Sequence, residues 1–558
     1  MRERVDDAAL SGARDAATVS CLRSPLTGCW PLVAGRRTLQ SPSPSRWRDS
    51  TLALSLRPAP ASIVEIPSPH SPTVLGAARR LAERWDIARR IEPFEPQRWR
   101  GGEDAIQLQL DDVSGIPFLD GIAGVAEYQH RARLRARDGD LFVTTTPQRP
   151  GEEDYYRERL GLGSTVGMLA GAPRRPLELA AACSSPPLFE ALASSAANAG
   201  AVVLHPFMGI EAVWELAASL AEASRARIEV LAPPPPVTWI ANDKAAFCDL
   251  VVDVLGRDWV AAERRSRDPE ALARGLLELG ESSPRVALKR LRCASAMGNR
   301  VFDSAELRAG GFAATLEMVE RFLTETRWSA AEEVQAVAWE QTELSPSTQW
   351  WIPPLSSDRS PHLDGIYEQI LVGPGKVFAG SRPSALPATV HRDLAAGGAA
   401  VASLLQRLGY VGRCSFDHLV VGDPDGEHQL RFTECNGRWG GTSTPMHLVD
   451  RLFGPPAPGD PARDPSPRRR SYQAMGVAHP TLAGLSFREL LSRVGDSAYD
   501  RRSGSGSFLF YNVGPLDRHG KLDVVALGGS PEESAALLGE ELPRLLGGQD
   551  RRPGRRRG

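Results

Sequence analysis

Apolar positions change their spacing along the chain, and the changes mark its elements. Residues 71–85 (SPTVLGAARRLAERW) carry apolar side chains at helical spacing. GDLFVTTTP (139–147) reads as a strand, and 199–224 (AGAVVLHPFMGIEAVWELAASLAEAS) reads as strand, turn and helix. A further strand, RIEVLAP, follows at 227–233. This alternation over 61–238 predicts an α/β layer with parallel strands. The proline run 233–236 is expected to stiffen its boundary.

A second unit, 239–453, mixes helices with antiparallel strands. WIANDKAAFCDLVVDVLG (239–256) predicts a helix capped by Asn242 or Asp243, with Phe247, Leu250, Val251 and Val254 as its buried stripe. RVALKRLRCASAMGNR (285–300) reads as a strand entering a loop of small residues. Residues 334–352 read as strand, bend and strand, 364–382 as a hairpin turning at 373–375, and 390–409 as a long amphipathic helix. Residues 454–471 are Pro-rich, as expected of a linker or mobile loop. A small α+β unit, 472–547, offers a hairpin and then a helix with Ser530 at its N-cap, Pro531 at N1 and Glu533 closing a capping box. Residues 1–60 lack periodicity and predict a disordered extension, and 548–558 predict a basic solvated tail.

With 558 residues the chain exceeds one hydrophobic core, so several domains are expected. A formal charge of −2 gives no global field for nucleic acid or anionic lipid, and no apolar run is long enough to span a bilayer. The seven scattered cysteines lack metal-site spacing, which points to reduced thiols and a cytoplasmic location. Only four of the 66 basic residues are lysines: Lys244, Lys289, Lys376 and Lys521. Where arginine is the default cation, a lysine marks a place that needs a compact ammonium.

The chemistry concentrates in CSFDHLVVGDPDGEHQLRFTECNGRWGGTSTP (414–445). It reads as two strands and a turn, yet carries Asp417, Glu434 and Asn436. Glu434 and Asn436 share a face by strand alternation. With Val421 facing His428 across the turn, Asp417 faces Phe432 and lies diagonal to Glu434. Two carboxylates and an amide carbonyl are hard oxygen ligands suited to Mg²⁺, or to Mn²⁺ in its place. The competing reading is a solvated outer face. Arg438 and the Gly440–Gly441 pair follow at once, offering a bidentate cation and close backbone approach to an anion.

These residues resemble the metal-binding signature of the ATP-grasp ligases. Together with SPSTQWWI, YEQILVGPGKVFAGSR and the C-terminal GSGSFLFYNVGPLDRHGKLDVVALGG, they resemble in order the peptide ligases of the pheganomycin type. The resemblance implies an ATP-grasp fold with an N-terminal pre-ATP-grasp α/β domain and a small C-terminal α+β domain. It implies an ATP-dependent carboxylate–amine ligase working through an acyl phosphate on small-molecule or peptide substrates. Metal ligands would be Asp417, Glu434 and Asn436, and phosphate contacts Lys244 and Lys289. The loop 293–299, with Ser295 and Gly298, would cover the phosphates. Glu340 would lie near the adenine and Glu343 near the ribose, while Arg438, Arg382, Gly440 and Gly441 would face the phosphoryl and acyl groups. Trp439 and Thr444 depart from the family pattern, at positions where substrates would approach. A non-catalytic ATP-binding protein on the same fold is the rival expectation.

Overall fold

The computed structural model describes residues 67–68, 70–102, 105–171, 175–293, 298–373, 377–454 and 471–547. The expectations for 1–60, 455–470 and 548–558 therefore lie outside the described residues. The architecture is mixed α/β, built on three sheets.

The first sheet has five parallel strands in the order Val166–Leu169, Leu141–Thr144, Ile106–Leu110, Ala201–Pro206, Arg227–Val230. Helices Leu188–Ala199 and Glu211–Ser224 cover it through Leu192, Val213, Leu216 and Leu220. Parallel pairing follows from the strand–helix alternation, since each crossover needs a helix to return the chain. The proline run does not form a stiff spacer. Pro235 instead begins the helix Pro235–Asn242, where its missing N–H is no loss.

The second sheet has four antiparallel strands, in the order Glu263–Ser266, Val334–Ala338, Arg285–Arg290, Asn299–Asp303. Helices Pro269–Ser282 and Ser304–Glu325 pack on one face through Leu272, Leu276, Val319 and Phe322, which leaves the other face for the cleft.

The third sheet has eight antiparallel strands. It runs His428–Asn436, Gly412–Gly422, Pro346–Ile352, His362–Val372, Val377–Pro383, Gln473–Ala478, Lys521–Ala526, Phe508–Tyr511. The C-terminal strands thus extend the central sheet. Helix Lys244–Leu255 covers its outer face, with Asp243 as the N-cap accepting from the Ala245 and Ala246 amides. Phe247, Leu250, Val251 and Val254 are buried as the stripe predicts, against Phe416 and Phe432 of the hairpin and Leu404 of helix Ala388–Arg407. The helix Pro72–Arg84 packs on this same cluster through Val74, Ala77 and Leu81, away from the parallel sheet. At the C-terminal end Ser530 caps its helix, but Glu533 accepts from the Gly529 amide, so the expected capping box is not the one formed.

Candidate functional site

The four-stranded and eight-stranded sheets line one cleft of roughly 1000 Å³ including its mouth. One sheet supplies Lys289, Gln335 and Val337, and the other supplies Gln369, Asp417, Leu419 and Glu434. Lys244 enters from the first turn of its helix.

The hairpin register differs from the sequence expectation. Gly422 pairs with His428 and His418 with Phe432, and then a bulge shifts the ladder so that Asp417 pairs directly with Glu434. The extra residue in the second strand brings the two carboxylates face to face. The Asn436 amide donates to Asp417 Oδ2 at 3.0 Å, and the Ser347 hydroxyl donates to Oδ1 at 2.7 Å. Gln369 also hydrogen-bonds Asp417. His418 points to the opposite face, buried against Phe432 and Thr348, and Cys435 is buried there too.

The electrostatics of the pair are asymmetric. Burial and the Glu434 charge push the Asp417 carboxyl up to about 7, against the hydrogen bonds of Ser347, Gln369 and Asn436. Burial also raises Glu434, but the Lys244 ammonium at 2.8 Å, with Lys289 and Arg438 beyond it, holds that carboxyl below its ordinary value. Lys244 is 5 % exposed, and Glu434 is 31 % exposed toward the cleft. Glu434 in turn keeps the Lys244 ammonium charged despite its burial. Burial and the Lys244 charge lower Lys289, whose ammonium lies over the Trp339 ring 5.4 Å from its centroid.

Among the described residues no cluster of three or more His, Cys, Asp or Glu is arranged for a metal. The set here is two carboxylates and an amide. It fits a hard divalent cation: two facing carboxylates repel, and the hydrogen bond from the Asn436 amide to Asp417 leaves the Asn436 carbonyl oxygen as a donor.

Other expected residues fall as follows. Glu340 lines the cleft just beyond the strand Val334–Ala338, 3.5 Å from the Arg431 guanidinium. Glu343 is exposed and lies outside the cleft lining. Ser295 lies outside the described residues. Gly298 accepts from the Arg290 amide, and a Cβ there would sit 2.6 Å from Cys293 Sγ. Arg438 donates to Asn242 Oδ1 at 3.0 Å. Gly440 and Gly441 lead into the helix Ser443–Phe453, and a Cβ on Gly441 would meet the Phe378 ring at 2.6 Å. Arg382 is held by Glu368 at 2.8 Å and does not line the cleft.

Trp439 and Thr444 do not face an open approach. Trp439 is 4 % exposed and Thr444 is buried. The Trp439 indole N–H donates to His205 Nε2 at 3.3 Å, which makes Nδ1 the protonated nitrogen that donates to Gln107. The Arg135 guanidinium lies over the Trp439 ring at 4.7 Å, and His447 meets it edge-on. This position packs against the C-terminal ends of the parallel strands, so an aromatic side chain has a packing role there.

Asn242, weighed from sequence only as a cap, has a larger part. Its Oδ1 accepts from the Gly437 amide and from Arg438, and its Nδ2 donates to the Gly437 carbonyl. It thereby ties the glycine turn to the helix end beside Lys244. Ser347, Gln369 and Cys293 also belong to the site. The Lys244 ammonium donates to the Cys293 carbonyl at 3.3 Å.

No protein-family model matches the sequence, and no curated protein sequence matches it. Among solved structures the chain is similar to an N5-carboxyaminoimidazole ribonucleotide synthetase in complex with ADP. That likeness has 12 % identity and a TM-score of 0.45, over 81 % of this chain and 98 % of that one. It is similar to biotin carboxylase from Campylobacter jejuni in a β,γ-ATP complex, at 12 % identity and TM-score 0.45 over 78 % and 89 %. It is also similar to N5-carboxyaminoimidazole synthetase from Staphylococcus aureus complexed with ADP, at 9 % identity and TM-score 0.44 over 80 % and 99 %. At such distances function has to be read from the site's own residues. Among the described residues no helix is long and apolar enough to cross a membrane.

Proposed function

We propose that the chain is an ATP-grasp ligase that uses ATP to join a carboxylate to an amine. The observation that carries this reading is the convergence of Lys244, Lys289, Asp417 and Glu434 on one cleft between two antiparallel sheets, with Asn436 hydrogen-bonded to Asp417. Phosphoryl transfer asks for charge compensation and positioning more than for a nucleophile of the protein's own. In the reaction proposed, a substrate carboxylate takes the γ-phosphoryl group and releases ADP. A substrate amine then displaces phosphate and forms the amide.

Asp417, Glu434 and Asn436 would hold Mg²⁺, which would supply charge neutralisation of the nucleotide phosphates. Lys289 and Lys244 would bind phosphate oxygens, and Lys244 would exchange its present partner, Glu434, for that role. The wall formed by Trp339 and Glu340 would receive the base. Arg438, fixed by Asn242, and the backbone of Gly440–Gly441 would face the acyl group and stabilise the oxyanion formed when the amine adds. The peptide-ligase subtype is inferred from the sequence resemblance, with small molecules or short peptides as the acid and the amine.

The test is incubation of the full chain with ATP, Mg²⁺ and pooled amino acids and short peptides, read by mass spectrometry and ADP release. New amide products with ADP release that depends on both a carboxylate and an amine support the ligase. Tight ATP binding with no product from any pair favours a non-catalytic ATP-binding protein with a regulatory or scaffolding role.

A further inference from the structure

A line of buried polar side chains runs from Asp417 to the start of the helix behind the glycine turn. Ser347 and Gln349 lie two apart on the strand Pro346–Ile352, so they point to the same face. Ser347 pairs with Asp417 across the sheet, and its hydroxyl donates to Asp417 Oδ1 at 2.7 Å. The Gln349 amide donates to Ser347 Oγ at 3.1 Å, and the Ser443 hydroxyl donates to Gln349 Oε1 at 2.8 Å. Ser347, Gln349 and Ser443 are 2 %, 1 % and 0 % exposed.

The direction of this chain follows once Asp417 is a carboxylate. With Asp417 ionised, as holding a metal requires, its carboxylate can only accept, so the Ser347 hydroxyl donates to Asp417 and uses its lone pair toward Gln349. Gln349 must then turn its NH₂ to Ser347, which leaves its carbonyl for Ser443. A carboxamide accepts at one end and donates at the other without carrying a charge. Leucine or methionine could do neither. A carboxamide in a strand interior is costly unless both ends are satisfied, and here both are.

Ser443 is the first residue of the helix Ser443–Phe453 and lies two residues past Gly441. The helix start is closed by the Thr444 amide donating to the Gly440 carbonyl. The far end of the relay therefore sits on the turn proposed to hold the acyl group. Its near end holds one oxygen of Asp417 while Asn436 holds the other, which fixes the carboxylate's rotation.

We propose that Gln349 is a positioning residue that couples the orientation of the Asp417 carboxylate to the glycine turn, through Ser347 on one side and Ser443 on the other. The proposal rests on the ligase reading above. Gln349 touches neither the cleft nor the reacting groups and acts through its neighbours. Its loss lets the Ser347 hydroxyl turn away from Asp417 and releases the helix start, so metal-dependent steps suffer and metal-independent contacts of the nucleotide do not.

The test uses the full chain and the nucleotide AMP-PNP, titrated by calorimetry with Mg²⁺ varied and, separately, with EDTA. Wild type must first show binding strengthened by Mg²⁺. If it does not, the ligase reading fails at that arm and takes the relay with it. Given that behaviour, Gln349→Met shifts the Mg²⁺ midpoint by about tenfold, the size expected for loss of a hydrogen bond serving a charged group. Its affinity measured in EDTA changes less than about threefold, below half of that energy. Ser443→Ala moves the midpoint in the same direction. Gln349→Leu, of similar volume and likewise without donor or acceptor, serves if the methionine variant fails to fold, with the same shift expected. An unchanged Mg²⁺ midpoint in a folded Gln349 variant, or equal weakening with and without metal, overturns the proposal.

Discussion

Asp417 and Glu434 face each other across the hairpin as direct partners, and of the two only Glu434 is in ion-pair contact with a cation among the described residues. Lys244 sits 2.8 Å from Glu434, while Asp417 is left to serine, glutamine and asparagine donors. The fold thus builds one carboxylate paired with an ammonium beside one held mainly by neutral donors. A divalent cation would relieve that imbalance.

If Glu434 contributes to holding the metal during phosphoryl transfer, Glu434→Gln keeps the fold and most base recognition but loses turnover. The expected loss is about 10²–10³-fold, the size typical of a catalytic electrostatic contact. The check is ADP release under saturating ATP and both co-substrates. Equal turnover in the variant would remove the hairpin from the metal site.

Lys244→Met deletes the ammonium and leaves Glu434 facing Asp417 with only the more distant Lys289 and Arg438 to offset their charge. Breaking a buried pair costs about 3–5 kcal/mol, and the partial exposure of Glu434 reduces this to about 1–3 kcal/mol. Urea unfolding without nucleotide measures it. A variant as stable as wild type would show that the pair contributes nothing to the fold.

Asn242→Ala removes the side chain that holds both Gly437 and Arg438. Turnover is expected to fall about tenfold or more, with nucleotide affinity within about threefold, as for an interaction made chiefly in the transition state. Steady-state kinetics beside a nucleotide titration separates the two. A matching fall in nucleotide affinity would place Asn242 in nucleotide binding instead.

The packing around Trp439 makes an acid-sensitivity prediction. Burial, then Arg413, Arg451 and Arg135, hold the His447 imidazole down to about 3, and burial with Arg135 holds His205 well below its usual value. An unfolded imidazole titrates near pH 6.5. Between about pH 6.5 and 3 the unfolded chain binds protons that the folded chain refuses, so stability falls as pH falls through that window. Each such group contributes a slope of up to about 1.4 kcal/mol per pH unit. His447→Phe keeps an aromatic edge against Trp439 and removes one titrating group. Its loss of melting temperature from pH 7 to pH 5 should be smaller than that of wild type, and an identical loss would refute the assignment.

Much of this was legible in the sequence because periodicity survives tertiary context where a whole face is buried. The stripe of Phe247, Leu250, Val251 and Val254 and the strand alternation of the parallel layer are such cases. The hairpin was legible but its register was not, since nothing in the local sequence marks the bulge that sets Asp417 against Glu434. Ser347, Gln349 and Gln369 were missed because a polar residue on a strand reads as an outward one. Their partners lie far along the chain, Asp417 being 70 residues from Ser347 and Ser443 94 from Gln349. Trp439 was misplaced for a related reason: its neighbours His205 and Arg135 come from the parallel sheet and the turn beside it.

The most direct test of the account is a calorimetric titration of the full chain with Mg²⁺ and AMP-PNP, beside Lys289→Ala. Lys289 lines the cleft over the Trp339 ring, and among the described residues it forms no ion pair, the nearest opposing carboxylate influence being Glu434, so an incoming phosphate is its natural partner. Wild type should bind one nucleotide per chain, and Lys289→Ala should bind at least about tenfold more weakly, as for loss of one charge-assisted contact. Binding of equal strength in both proteins, or none in wild type, would contradict the claim that this cleft is a nucleotide site.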